Sequence, residues 1–365
     1  MPKLASVGIS VPPYPLDQHT SMEFANEIFQ DSFKDISRLL TVFHNGDIEE
    51  RNFVKDLHWF KQDHTFEEKN NAYIENAISL SVRAIKNCLR SHTYVHNEIE
   101  CHDIDAIFFI SSTGISTPSI DAKIMNILPF SPHTKRIPIW GLGCAGGAAG
   151  LSRAFEYCLA FPTSKVLVVA VELCSLTFQK NDRSKSNLIG TSLFADGAAA
   201  ILLIGDKVQT KEYFKKNTLP SIVDTQSTLM PHSEDVMGWD VRNEGLYVIF
   251  SKDIPLIIRE WLKPNVEKFL KKYELSMNEI KHFIAHPGGK KVIEAYESAL
   301  NLTHEMTESS RNILKKHGNI SSATVYYVVD DFMKKEISDG EYGLIAALGP
   351  GFSSELLLVK WEEGA

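Results

Sequence analysis

The chain is poor in the residues that staple, span or coat. Five cysteines, at 88, 101, 144, 158 and 174, are scattered through 365 residues, odd in number and never in a CxxC pair. A disulfide framework and a zinc site are therefore not expected. Basic residues are outnumbered, 38 against 46 acidic, for a net charge of −8. That excludes bulk electrostatic binding of nucleic acid, which needs a basic face. No run approaches the roughly 18 uninterrupted apolar residues of a membrane span; even the apolar stretch 166–176 carries Glu172. Met1 to Ser6 lacks the charged-then-apolar pattern of a signal peptide, so the expected location is cytoplasmic. There is no low-complexity tract and no short repeat.

What is present is an ordinary globular composition, 44% hydrophobic and 23% charged, which excludes disorder. The length calls for two core-bearing halves or one large α/β unit. Continuous apolar runs predict buried strands at 4–11, 106–111, 137–142, 165–172 and 198–204, and a second set at 222–227, 282–285, 344–348 and 354–359. Amphipathic stretches at 73–89, 252–273, 292–300 and 323–335 predict helices between them. This alternation points to layered α/β architecture. The charged segment 207–218 reads as a linker between halves 1–206 and 207–365. Segments 30–70 and 225–245 are polar enough to be surface insertions.

Three motifs can carry chemistry. In Gly143-Cys144-Ala145-Gly146-Gly147-Ala148-Ala149-Gly150 a cysteine stands on a strand-to-helix turn, where free N–H groups and the helix dipole favour thiolate. The plain alternative is a small buried hydrophobe. Because glycine is a poor helix former, the small-residue run needs a reason, and close packing of a buried helix supplies one. The overlapping Gly141-x-Gly143-x-x-Gly146 is a loose match to a dinucleotide fingerprint, with Glu172 too far beyond it and too many residues before it. In Ala285-His286-Pro287-Gly288-Gly289 a histidine ends a strand, where α/β folds favour ligand sites. In Gly318-Asn319-Ile320-Ser321-Ser322-Ala323 an asparagine precedes a helix, most simply as an N-cap. Together, Cys144, His286 and Asn319 could hold a thiolate, its imidazolium partner and a neutral oxyanion donor. Papain-like proteases share that order, but their cysteine lies near the mature N-terminus in a different context.

At these residues the sequence resembles the thiolase superfamily and, within it, the type III polyketide synthases related to chalcone synthase. Leu193-Phe194-Ala195-Asp196-Gly197 and Gly349-Pro350-Gly351-Phe352 extend the resemblance along most of the chain. It implies a five-layer αβαβα fold of two pseudo-repeated halves, a homodimer, and acyl-CoA and malonyl-CoA as substrates, with no metal, nicotinamide or carrier protein. Cys144 would be the acylated nucleophile, His286 its ion-pair partner, and His286 with Asn319 the donors to the malonyl enolate. Phe194 would flank the departing carboxylate. Ser112, Thr113, Thr117, Thr177 and Ser321 match cavity-lining positions.

Two departures set this chain apart from the plant enzymes. Taking Lys252-Asp253-Ile254-Pro255 as the anchor, Val248 stands where a second gatekeeper phenylalanine usually does, and Trp239 where they have glycine. That implies an aliphatic starter and alkylpyrone or alkylresorcinol products, as in bacterial alkylpyrone synthase-like members. Lys34, Arg38, Lys290 and Lys291 are candidates for the CoA phosphates, with solvated surface charge as the alternative for each. A ketoacyl-ACP synthase III-like condensing enzyme and a silent acyl-binding homologue are the competing readings.

Overall fold

The computed structural model describes residues 1–30, 33, 36–209, 213–251 and 253–363. Lys34 and Lys252 lie outside them. In the first part of the chain the strands are β1 (Lys3–Ser10), β2 (Tyr14–Asp17), β3 (Glu50–Phe53), β4 (Ala106–Ile110), β5 (Lys135–Ile139), β6 (Lys165–Leu173) and β7 (Asp196–Ile204). Then come β8 (Thr218–Leu229), β9 (Met237–Arg242), β10 (Gly245–Phe250), β11 (Ile280–Ala285), β12 (Tyr342–Gly349) and β13 (Ser353–Glu363).

Among the described residues, nine strands hydrogen-bond in the order β11-β12-β13-β8-β1-β7-β6-β4-β5. The join between β8 and β1 is thin, a single paired position, Lys3 with Ser221. On either side of it the same pattern recurs. β4 and β6 are parallel, as are β11 and β12; β6–β7–β1 and β12–β13–β8 are antiparallel. The chain has built one arrangement twice.

Helices pack both between the two sheet halves and on their outer faces. They are α1 (Gln18–Phe29), α2 (Ile36–Asn45), α3 (Leu57–Phe60), α4 (Phe66–Leu89), α5 (Ile120–Met125) and α6 (Gly146–Ala160), followed by α7 (Lys185–Leu193) and α8 (Ile254–Ile257). The last four are α9 (Lys263–Lys271), α10 (Lys290–Leu300), α11 (His304–His317) and α12 (Thr324–Lys334). Helix α4, started by a Thr65–Glu68 capping box, covers the outer face of β1, β6 and β7. Helix α6 touches β4, β6 and β7 on one side and β12 and β13 on the other; α12 lies beside it against β1 and β11. Helices α9 and α10 pack Leu270 and Tyr296 on the outer face of β11 and β12. The result is five alternating layers, the thiolase-like α/β fold.

The small-residue run in α6 is explained by this central position. A Cβ on Gly147 would lie 2.2 Å from the Ser322 carbonyl oxygen, so only glycine lets the helix that follows Cys144 touch the segment before α12.

Four expectations need correction. The strand expected over 137–142 ends at Ile139, because Gly141 turns the chain at φ 91°. The helix expected over 252–273 is broken by a π-helical turn, Ile258–Leu262, just ahead of Pro264, whose missing N–H a regular turn would need. Residues 225–229 are not insertion but the end of β8, paired with β13. Segment 30–70 is not merely superficial, since it buries Phe43, Arg51 and Phe60.

Candidate active site

Cys144 lies in a 3-10 turn, Gly143–Ala145, that feeds directly into α6. The turn is held from both sides. The Gly143 amide donates to Ser112 Oγ at 3.1 Å. At φ 46° Gly143 adopts a conformation that disfavours side chains, and a Cβ there would sit 2.6 Å from Pro350 Cδ. The Gly349-Pro350-Gly351 turn is thus the back wall of the Cys144 turn. Cys144 Sγ meets Ser321 Oγ at 3.4 Å, and Ser321 is itself at φ 46°.

His286 follows β11 and stays in register, its amide donating to the Ala346 carbonyl at 2.9 Å. The side chain is 2% exposed and neither ring nitrogen has a protein partner. A buried imidazole whose two nitrogens lack protein partners is costly, and both nitrogens can bond a group brought into the site.

Asn319 is not the N-cap of α12. Its Oδ1 accepts from the Ser321 amide two residues on, at 2.8 Å. Its Nδ2 donates to the Gly288 carbonyl at 3.0 Å. With both ends fixed, one amide hydrogen remains to donate. Gly288 in turn donates to the His286 carbonyl at 3.0 Å, so a chain of contacts runs from Cys144 through Ser321 and Asn319 to the His286 turn.

The electrostatics differ from the expectation that the helix terminus lowers the thiol pKa. Burial dominates and pushes Cys144 up to about 12, with the Ser321 contact opposing it. Burial likewise holds His286 down to about 3. Ionising either alone would place an unpaired charge in a dry site.

Two residues in this neighbourhood were missed in sequence. Glu172 ends β6 fully buried, accepting from the Ser112 amide (3.0 Å), Thr113 Oγ1 (2.8 Å) and Ser322 Oγ (2.5 Å). It ties the Cys144 side of the site to the Asn319 side. A lone charge in an apolar strand was the available signal, since such a group must find partners. Arg51, 1% exposed, donates through Nη1 to the carbonyls of Thr191 (2.6 Å) and Phe194 (2.9 Å). Nothing in its polar local sequence marks it.

Phe194, Thr177 and Val248 line one cavity together with Phe24, Phe60, Phe178 and Arg51. Trp239 and Val248 are cross-strand partners in the β9–β10 hairpin, and the Trp239 ring lies 6.0 Å from that of Phe194. Thr113 and Thr177 line a smaller adjoining pocket with Lys69 and Leu246. Thr117 is exposed and belongs to neither. Of the basic candidates, Lys290 pairs with Asp47 at 3.0 Å, while Arg38 and Lys291 are exposed. Among the described residues no group of three or more His, Cys, Asp or Glu is arranged to hold a metal ion. No described helix is long and apolar enough to cross a membrane.

The family profile described as chalcone and stilbene synthases, N-terminal domain, matches residues 60–207, and its C-terminal counterpart matches 221–361. The chain belongs to the chalcone and stilbene synthase family. It is 55% identical to a putative chalcone synthase of Bacillus subtilis over 99% of both chains. It is 31% identical to the 1,3,6,8-tetrahydroxynaphthalene synthase of Streptomyces peucetius subsp. caesius, over 98% of this chain and 93% of that one. The crystal structure of the Streptomyces coelicolor tetrahydroxynaphthalene synthase, a bacterial type III polyketide synthase, superposes with a TM-score of 0.90 at 27% identity, covering 99% and 100% of the two chains. This family member is a condensing transferase of the type III polyketide synthase kind, acting on CoA thioesters.

Proposed function

We propose that the protein loads a fatty acyl-CoA onto Cys144 and extends it with malonyl-CoA by decarboxylative Claisen condensation, giving alkylpyrone or alkylresorcinol-type products. The observation that carries the choice of starter is Val248 beside Phe194 on a shared apolar cavity, with valine where an aromatic gate would close it.

Chemically, the buried thiol passes its proton to His286, so that both charges appear as a pair and each offsets the other's desolvation. The Ser321 hydroxyl is close enough to donate to the thiolate. Sγ attacks the starter thioester, the carbon–sulfur bond to CoA breaks, and the CoA thiolate takes the proton from His286. Malonyl-CoA then loses CO2, and the freed electron pair becomes an enolate whose oxygen accepts from His286 and from the remaining Asn319 amide hydrogen. The Phe194 ring offers the carboxylate no stabilisation and favours its departure. The enolate carbon attacks the Cys144 thioester, releasing the cysteine for the next round. Arg38, Lys290 and Lys291 are the cations proposed to meet the CoA phosphates, Lys290 by exchanging Asp47 for phosphate. A homodimer is proposed across the free edge of the sheet at β5, where Trp140 and Ile115 are exposed.

The test is mass spectrometry of products from C2 to C16 acyl-CoAs with malonyl-CoA. Each buried methylene favours a longer starter by about 0.8 kcal/mol, so turnover should rise with chain length. Val248→Phe should remove the long-chain advantage and spare acetyl-CoA. A protein that consumes malonyl-CoA alone and ignores every acyl starter overturns the reading.

A further inference from the structure

We infer that the starter's tail leaves the reaction centre between Phe194 and Val248 and ends against a wall of three rings, Phe24, Phe60 and Phe178, which sets the longest chain the enzyme accepts. This rests on the fatty acyl reading above and adds to it the residues that measure length.

The cavity joins the two groups of side chains. Phe194, Thr177 and Val248 line its catalytic side, and Phe24, Phe60 and Phe178 line the same space. The space between the walls, open mouth included, is about 500 Å3.

The wall is rigid. The rings of Phe24 and Phe178 lie 5.6 Å apart, and those of Phe60 and Phe178 6.3 Å apart. Behind them Phe29, fully buried, closes on Phe178 at 6.4 Å. Such packed rings yield little to an extra methylene.

The polar groups at this cavity are bonded within the protein, Ser175 Oγ to the Asp196 carboxylate and others to backbone. Ser21 Oγ donates to the Asp17 carbonyl, Thr177 Oγ1 to that of Cys174, and Asn187 Nδ2 to those of Gln179 and Asp182. Arg51 Nη1 serves two carbonyls; its buried Nε has no partner. What faces the space is mostly carbon, which suits an unbranched alkyl chain. Because the wall comes from α1, α3 and residue 178, length can change without touching Cys144, His286 or Asn319.

The experiment measures kcat/KM for C6 to C18 acyl-CoAs, at fixed malonyl-CoA, in wild type, Phe24→Leu and Ser21→Leu. Ser21 sits on α1 one turn before Phe24 and lines the same cavity. Phe24→Leu should move the optimum to longer chains. Ser21→Leu should move it to shorter ones, and two displaced methylenes change the long-to-short ratio by about tenfold. Melting temperature is read on each variant, and Phe60→Leu replaces Phe24→Leu if the latter does not fold. An ω-carboxylated acyl-CoA of the optimal length is run beside them.

Opposite displacements in the two variants, with the carboxylated chain rejected, support the wall. Profiles that superimpose on wild type overturn it and leave the fatty acyl reading intact. A preference for the carboxylated chain also overturns it, by assigning the space to a polar end near Arg51 Nε. A wild type inactive on all chains beyond acetyl removes the fatty acyl reading and the wall with it.

Discussion

Phe194 and Asn319 are paired across an isolated parallel bridge. The Asn319 amide donates to the Leu193 carbonyl and the Ala195 amide to the Asn319 carbonyl, both at 2.9 Å. The residue proposed to promote loss of CO2 and the residue proposed to hold the resulting enolate therefore cannot move independently. Arg51 locks the pair. It takes the Phe194 carbonyl through Nη1, and its stem packs where Gly318, at φ 68°, leaves no room for a Cβ.

Arg51→Met should disturb both residues at once. It strips the donor from two carbonyls, costing about 1–3 kcal/mol for each that stays dry. Misplacing Phe194 and Asn319 by a fraction of an ångström should slow malonyl-CoA decarboxylation between about ten- and a hundredfold. Melting temperature and decarboxylation rate check this, with Arg51→Lys expected to recover part of both. Undiminished decarboxylation in Arg51→Met would leave the arginine with no more than a structural part.

Asn319→Asp puts an acceptor where Nδ2 now donates to Gly288. The variant should be less stable by about 1–3 kcal/mol, unlike a simple cap replacement. Decarboxylation should fall further, by about 10²–10³, the loss expected for an oxyanion donor. A rate that falls only as far as the unfolded fraction explains would sink the catalytic role.

Incubating the protein with a fatty acyl-CoA alone should add one acyl mass, located on the peptide carrying Cys144. Cys144→Ala should lose that adduct and keep measurable decarboxylation of malonyl-CoA through His286 and Asn319. Of the other cysteines, Cys88, Cys158 and Cys174 are buried, and the partly exposed Cys101 is the one the peptide map must separate from Cys144. Acylation that persists in the alanine variant moves the nucleophile elsewhere.

Glu172 should give stability an inverted pH dependence. Burial raises its pKa from 4.5 to about 7, so the folded chain holds that proton more tightly than the unfolded chain does. Its contribution is fullest below pH 4.5 and declines as pH rises to about 7, by at most about 1.4 kcal/mol per unit. Asp196, raised to about 6, acts in the same direction. His286 and His317, lowered to about 3 and about 4, act oppositely below pH 6.5. Comparing urea midpoints of wild type and Glu172→Gln at each pH isolates the carboxyl. Relative to the variant, wild type should lose stability between pH 5 and 8. A constant difference would mean that Glu172 does not change protonation in that range.

Much of the layered fold was legible because buried strands must be apolar on both faces. The runs at 106–111, 165–172, 198–204 and 344–348 reappear almost unchanged as β4, β6, β7 and β12. Helix α11 and the β9–β10 hairpin were not. The first buries a narrow face of small polar residues, Thr307, Ser309 and Ser310, and the second is mostly half-exposed. Neither has the periodicity that burial imposes.

In the site, Cys144, His286 and Asn319 could be singled out from sequence because each is an unusual residue on a turn bordered by glycine, and local backbone need leaves a local trace. That Asn319 turns its amide to Gly288 and pairs with Phe194, that Glu172 binds Ser112 and Ser322 together, and that Arg51 lies buried under the gate were decided only by tertiary structure. These contacts join residues 31 to 150 positions apart, 143 in the case of Arg51 and Phe194. A sequence records the side chains that such contacts need, but the distance at which they meet exists only once the layers have packed.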